Sequence, residues 1–195
     1  MTPQTFIFIG RSGCGKGTQA ELLMQKLKEK DGSNEIFYLE TGQKFRDFTA
    51  GSGYTSELSR NIQSKGGLQP SFLAVWIWSS IFVDKINKDQ HLFIDGTPRK
   101  FNEALILAEA LKFYDRKPKI VYIDVSRQWA EDRLSSRHRE DDLELMVKSR
   151  LDWFDTDVIP VIDYFKSNTD VDFLSINGEQ NIDDVHKELI SKLGW

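Results

Sequence analysis

Apolar residues along this chain follow two rhythms. Short runs rich in β-branched and aromatic residues recur, and between them apolar residues return every three or four positions among polar ones. The first rhythm predicts strands over 5–9, 36–40, 91–95, 119–124 and 172–176. The second predicts helices over 16–30, 41–50, 54–65, 70–87, 102–114, 127–137, 142–166 and 182–193. Strands that alternate with helices specify an α/β fold, a five-stranded parallel sheet with helices on both faces. Ligands of such sheets gather outside the carboxyl ends of the strands. Gly10, Glu40 with Thr41, Asp95 and Asp124 lie at those ends, so one crevice can collect them. Trp76, Trp78 and Trp153 fall at helical spacing with Ile77, Ile81 and Phe154 and read as packing of the long helices, not as a platform for a base.

Two stretches interrupt the alternation. Three helical segments separate the second strand from the third, with Gly51-Ser52-Gly53 and Gly66-Gly67 as hinges. That is more chain than one crossover needs, so residues 41–73 are expected to form a small helical flap. The second stretch, Arg137-His138-Arg139-Glu140-Asp141-Asp142, packs charge between two helices, and a solvated junction accounts for it as well as a site does. The 195 residues fit one domain, 1–195, without repeat, linker or low-complexity tract.

Composition narrows the classes. A formal net charge of −4 argues against a general nucleic-acid binder, so any anion site must be locally basic. The single cysteine excludes an internal disulfide and a cysteine zinc site, and suits a reducing cytoplasm. No apolar run is long enough to span a bilayer, and Met1-Thr2-Pro3-Gln4 leads straight into a strand. A cytoplasmic protein that is monomeric and free of membrane is expected.

The most informative stretch is Gly10-Arg11-Ser12-Gly13-Cys14-Gly15-Lys16-Gly17-Thr18-Gln19, set between the first strand and the first helix. Strand, glycine turn, lysine and helix form the arrangement that holds nucleotide phosphates. Glycines let successive N–H groups turn inward, the new helix offers unpaired amides, and Lys16 supplies a mobile charge. Further along, Thr41-Gly42-Gln43-Lys44-Phe45-Arg46 sets a hydroxyl and an arginine at a helix start, and Asp95-Gly96-Thr97-Pro98-Arg99 leaves the third strand with an acid and an arginine. Arg133 and Arg137 share one helix face, four residues apart, with Arg139 and Arg150 following. Like charges so placed favour an anion between them.

Together these segments resemble the adenylate kinase family of nucleoside monophosphate kinases, nearly end to end, down to Ser175-Ile176-Asn177-Gly178 and the final helix. The most specific matches are Gly15–Gln19, Asp95–Arg99 and Arg139–Asp142. The resemblance implies a P-loop NTPase core with a flap over the monophosphate and a lid over ATP, here very short, about 137–142. It implies transfer of the γ-phosphoryl group of ATP, with Mg2+, to a nucleoside monophosphate. By position, Lys16 and the loop Gly13, Cys14, Gly15, Gly17 and Thr18 would hold the ATP phosphates, with Arg133 against adenine and Gly178 nearby. Arg46 and Arg99 would grip the acceptor's phosphate, Thr41 would sit near its base, and Arg137, Arg139 and Arg150 would converge on the transferring group. Asp95 would orient water around the magnesium.

Phosphoryl transfer of this kind needs two anions held in line and their spreading charge neutralised, which planar guanidinium forks do well. No strong base is required, and His91, His138 and His186 read as ordinary by position. Departures from the family bear on detail. Gln43 stands for an acid near the metal's water shell, and Thr97 for an aromatic residue. Glu103 stands for a glutamine that reads adenine; a carboxylate only accepts, so GMP or a pyrimidine monophosphate (CMP or UMP) stays open beside AMP, as does a Glu103 that merely begins a helix and faces solvent. Cys14 fills a tight turn, with redox control as the second reading. A nucleotide-binding module without turnover and a kinase for a non-nucleotide molecule are the rivals.

Overall fold

The computed structural model describes residues 1–137 and 144–195, with Arg137 described by its backbone alone. Five strands, β1 (Thr5–Ile9), β2 (Ile36–Glu40), β3 (His91–Asp95), β4 (Pro118–Asp124) and β5 (Asp172–Asn177), form one parallel sheet in the order β2-β3-β1-β4-β5. The central β1 is at most 3 % exposed along its whole length, as a strand covered on both faces must be.

Alternate residues of the strands feed two cores. Phe6 and Phe8 pack with Leu23 and Leu27 of α1 (Lys16–Lys30) and with Val185 and Leu189 of α9 (Ile182–Lys192). Ile7 and Ile9 point the other way. They meet Trp78 and Phe82 of α4 (Ser71–Lys85), Leu107 and Leu111 of α5 (Phe101–Phe113), and Val161 and Phe165 of α8 (Ile159–Ser167). Each such side chain, fully buried, stabilises the fold by about 1.5–3 kcal/mol. Between β2 and α4 stand α2 (Thr41–Thr49) and α3 (Tyr54–Gln63), with a small core of Phe45, Leu73, Ala74 and Ile77 below them.

Element boundaries agree with the sequence pattern within about two residues, except over 142–166. That stretch is not one helix. After α6 (Arg127–Arg137), the chain runs through α7 (Glu144–Trp153), a π-helical turn (Phe154–Val158) and then α8. Pro160 explains the break, because its nitrogen has no hydrogen to donate back along the helix and its ring crowds the preceding turn. The wide turn also transfers the chain between cores. Val147 and Leu151 pack in the first, Phe154 and Val158 in the second.

Register brings the carboxyl ends to one edge, with Glu40 and Phe8 both opposite Asp95. At the other edge His91 is fully buried. Its Nδ1 accepts the Gln4 N–H at 3.0 Å, so the proton sits on Nε2, 3.3 Å from Asp31 Oδ2. His91 is therefore a satisfied core group far along the strand from the phosphate loop.

Candidate active site

The loop after β1 makes the floor of the site. Gly15, at φ +94°, caps α1 in the left-handed region and leaves the first amides of that helix without a side-chain cap. Lys16 arches back over the loop, its Nζ donating to the carbonyls of Gly10 at 2.8 Å and Arg11 at 3.0 Å. Cys14 lies beneath at 3 % exposure, its Sγ 3.7 Å from Lys16 Nζ. Burial pushes the thiol's pKa up more than the neighbouring lysine pulls it down, so Cys14 is a packed thiol and not the thiolate a redox role needs.

A cavity of about 500 Å³ opens above this floor. Ser12, Gly13, Gly15, Lys16, Gly17 and Thr18 line one side, and Arg46, Arg99 and Arg150 line it as well, with Arg133 and Ser136 from α6. Five cationic side chains face three acids, Glu21, Glu40 and Asp95. Each cation is aimed by neighbours. Arg46 donates to Glu40 Oε1 at 2.8 Å and to Gln43 Oε1 at 2.8 and 3.1 Å. Arg99 donates from Nε to Gly96 O at 2.7 Å, and its guanidinium carbon lies 5.3 Å from the Trp153 ring centre. Desolvation lowers the Arg99 pKa, with Glu103 and Asp95 opposing that shift. Arg133 covers Trp129 at 5.0 Å, and Arg150 donates from Nε to Met146 O at 3.3 Å.

Asp95 is the buried acid of the site. Desolvation raises its pKa, Lys16 counteracts, and Glu40 adds to the rise. Oδ2 accepts a long hydrogen bond from Tyr38 Oη at 3.4 Å, while Oδ1 is buried with no partner among the described residues. An orphaned carboxylate oxygen beside a phosphate site suits a hydrated divalent cation, and a magnesium ion held through one carboxylate, waters and substrate phosphates needs no larger ligand set. No group of three or more histidine, cysteine or acidic residues placed to hold a metal ion occurs among the described residues.

Several expected residues sit elsewhere. Glu103 is 2 % exposed, so it does not face solvent. It does not line the cavity either: its Oε2 accepts the Arg99 N–H at 2.9 Å, closing the start of α5. Gln43 is exposed, donates to Asp47 at 2.7 Å and orients Arg46 instead of facing Asp95. Thr41 is buried just behind the wall with its hydroxyl unpaired among the described residues, and Thr97 is buried too. Gly178 lies past the end of β5, its N–H bound to Asp124 O at 2.8 Å, and is not part of the cavity lining. The Arg137 side chain, His138, Arg139, Asp141 and Asp142 lie outside the described residues.

The pattern of residues missed several wall positions. Tyr38, Phe45, Gln63, Gln69, Met146 and Trp153 line the cavity. Helical periodicity marks Phe45 and Met146 as inward-facing, but it cannot say that a neighbouring element leaves a gap there. Trp153 is the clearest case, since it is part of the wall and not only helix packing.

The comparisons agree with this geometry. A profile of the family described as adenylate kinase matches residues 8–170. Adenylate kinase 1 of Nostoc sp. (strain PCC 7120 / SAG 25.82 / UTEX 2576) is 30% identical over 189 residues, covering 96% of this chain and 97% of its own. Adenylate kinase of Petrotoga mobilis (strain DSM 10674 / SJ95) is 26% identical over 219 residues, 96% of each chain. That of Prochlorococcus marinus (strain MIT 9515) is 30% identical over 175 residues, covering 89% of this chain and 90% of its own. Matched by the family profile over most of its length, and carrying a phosphate loop and a basic cavity on a parallel sheet, the chain belongs to the adenylate kinase family and is an ATP-dependent phosphotransferase.

Proposed function

We propose that the enzyme transfers the γ-phosphoryl group of ATP to AMP, giving two ADP. One observation carries the reading: Lys16 and the phosphate loop share a single cavity with Arg46 and Arg99, so two polyanions can face one another inside it. The names of the similar proteins support AMP as acceptor. So does the position of Glu103, whose carboxylate is engaged by the Arg99 amide and is not free to select against adenine.

In this reading the amides from Gly13 to Thr18 and Lys16 hold the ATP phosphates, and Arg133 flanks the donor nucleotide. Arg46 and Arg99 grip the acceptor's phosphate, with Thr41 behind its base. Arg137, Arg139 and Arg150 neutralise charge on the group in flight. Asp95, through water, would hold Mg2+, whose chemistry when bound would be neutralisation of phosphate charge. The protein's own work is alignment and electrostatics, which are worth most where water is excluded. The α2–α3 region, about 41–73, serves as the flap over the acceptor, and residues 137–142 serve as a short lid.

No described helix is long and apolar enough to cross a membrane. With a net charge of −4 and a buried thiol, a cytoplasmic enzyme without nucleic-acid partners fits best. The test is direct. Incubated with ATP, Mg2+ and each of AMP, GMP, CMP and UMP, the protein should form diphosphates fastest from AMP by chromatography. A faster reaction with GMP would reassign the acceptor, and no diphosphate from any of the four would overturn the kinase reading.

A further inference from the structure

We infer that Trp153 is a positioning residue that locks the flap's trailing hinge to the helix carrying Arg150 while holding Arg99 in place for the acceptor phosphate; the inference rests on the kinase reading above. Its indole Nε1–H donates to the Gly66 carbonyl at 3.0 Å, across 87 positions of sequence. Ser149, one helical turn earlier on α7, donates its hydroxyl to the same carbonyl at 3.2 Å. Two donors from one helix face therefore converge on a single hinge oxygen.

The hinge is shaped to allow it. Gly66 has φ +68°, and a Cβ there would fall 2.8 Å from both Cα and O of Met146. Only glycine lets the hinge backbone lie directly on the α7 backbone. The other side of the same indole faces Arg99, whose Nε is fixed to Gly96 O at 2.7 Å. The terminal nitrogens of Arg99 take no hydrogen bond among the described residues, so the ring face sets where they point into the cavity.

Trp153 is the last residue of α7, immediately before the π-helical turn. From there its edge reads the flap and its face reads the phosphate clamp. When the hinge lifts, the edge loses its acceptor; when it seats, ring and Arg99 are held in register with Arg150 one turn away. Closure over the acceptor is thus linked to the arrangement of two of the arginines that act on phosphate. ATP, held by the loop and α1, does not depend on this contact.

Kinetics with Trp153→Phe, which keeps the ring and deletes the donor, test the inference. One neutral hydrogen bond is worth about three- to tenfold in an equilibrium, so KM for AMP should rise about three- to tenfold. KM for ATP and kcat should stay within about twofold. Trp153→Leu, which also removes the ring face from Arg99, should lower kcat a further five- to thirtyfold, the worth of a partly desolvated cation–π contact at about 1–2 kcal/mol. Ser149→Ala leaves the aromatic untouched and should raise KM for AMP about threefold, so the test survives if the tryptophan variants fail to fold. An active wild type with unchanged KM for AMP in both Trp153→Phe and Ser149→Ala overturns this inference alone. So does an equal rise in KM for ATP and AMP, which marks a general loss of structure. A wild type inactive on AMP overturns it together with the kinase reading.

Discussion

Lys16 has two tasks that a single substitution separates. Its ammonium ties two loop carbonyls, Gly10 and Arg11, and faces the cavity where phosphate charge must be neutralised. Lys16→Met should lower kcat by roughly 10²–10³-fold, the usual loss when one preorganised electrostatic donor is removed. Two hydrogen bonds from an ammonium to part-buried carbonyls contribute at most about 3–6 kcal/mol, so the circular dichroism spectrum should be unchanged while the melting point drops. A variant of near-normal kcat would remove Lys16 from the chemistry. Glu103 carries the opposite expectation. Its carboxylate holds the Arg99 amide and faces a desolvated guanidinium, so Glu103→Gln keeps an acceptor but loses a charge. The ratio of AMP to GMP turnover should stay within about twofold of wild type, with stability lower by about 1 kcal/mol. A shift toward AMP would return this side chain to base reading. Placement was readable in advance where backbone and charge define it, as for Lys16, Arg46, Arg99, Arg133 and Arg150, which line one cavity. It was not readable where a side chain's use depends on a partner far away, since nothing in the spacing of Trp153 shows that Gly66 would arrive beside it.

Among the elements, the strands were the most legible because β1 and β3 are buried on both faces and so carry the continuous apolar stretches Phe6–Ile9 and Leu92–Ile94. The long helix expected over 142–166 failed because its apolar rhythm persists through a proline. Pro160 could have been read as a breaker, but the widened turn before it keeps the rhythm intact while shifting which core each residue meets. The amino end of β3 yields a pH prediction. His91 accepts the Gln4 N–H through Nδ1 and gives its Nε2 proton toward Asp31, so a second proton must displace a backbone hydrogen bond in a buried place. Desolvation lowers its pKa, while Asp31 raises it and the chain's first amino group and Arg116 lower it. The unfolded histidine titrates near ~6.5. Between that value and the lower folded one, the unfolded chain binds more protons, so stability is full above about pH 6.5 and is lost as pH falls through the folded pKa. His186, also lowered mainly by desolvation, adds the same sign. Asp31 is held well below the carboxylate range by Ser33 and the first amino group and stays ionised across this window. Urea unfolding at pH 7.5, 6.5 and 5.5 should therefore show falling stability, by at most ~1.4 kcal/mol per pH unit from His91. His91→Asn should flatten the slope, and a wild-type profile already flat across this window would refute the argument.

At the scale of the whole molecule, the chain is acidic while the cavity above the phosphate loop is basic. With a net charge of −4 overall, it gathers five cations against three acids along that lining. The parallel sheet makes this concentration possible by ending β2, β3 and β1 at one edge, with Glu40 and Asp95 in register beside the phosphate loop. Without bound anions, cations gathered in one lining repel one another, and acids such as Glu21, Glu40 and Asp95 offset part of that repulsion. Phosphate-bearing ligands that enter the cavity should therefore stabilise the folded protein strongly. At a free concentration 100 times Kd, a ligand bound only by the folded state contributes about 2.7 kcal/mol. For a domain of this size each kcal/mol is worth about 2–4 °C, so Mg2+ with ATP should raise the melting temperature by roughly 5–11 °C. AMP should add its own increment, because the proposed reading puts it at the Arg46 and Arg99 end and leaves the loop to ATP. With EDTA present, Asp95 would face the phosphates without the charge neutralisation that Mg2+ is proposed to supply, and the ATP shift should shrink. Raising salt from 0.05 to 0.5 M should reduce both shifts less than it would for exposed charges, because the clamp residues lie inside a cavity instead of on an open face. Differential scanning fluorimetry measures all four conditions. No shift with saturating ATP, or a shift that AMP abolishes by competition for the same end, would show that the two anions do not lie in the cavity side by side.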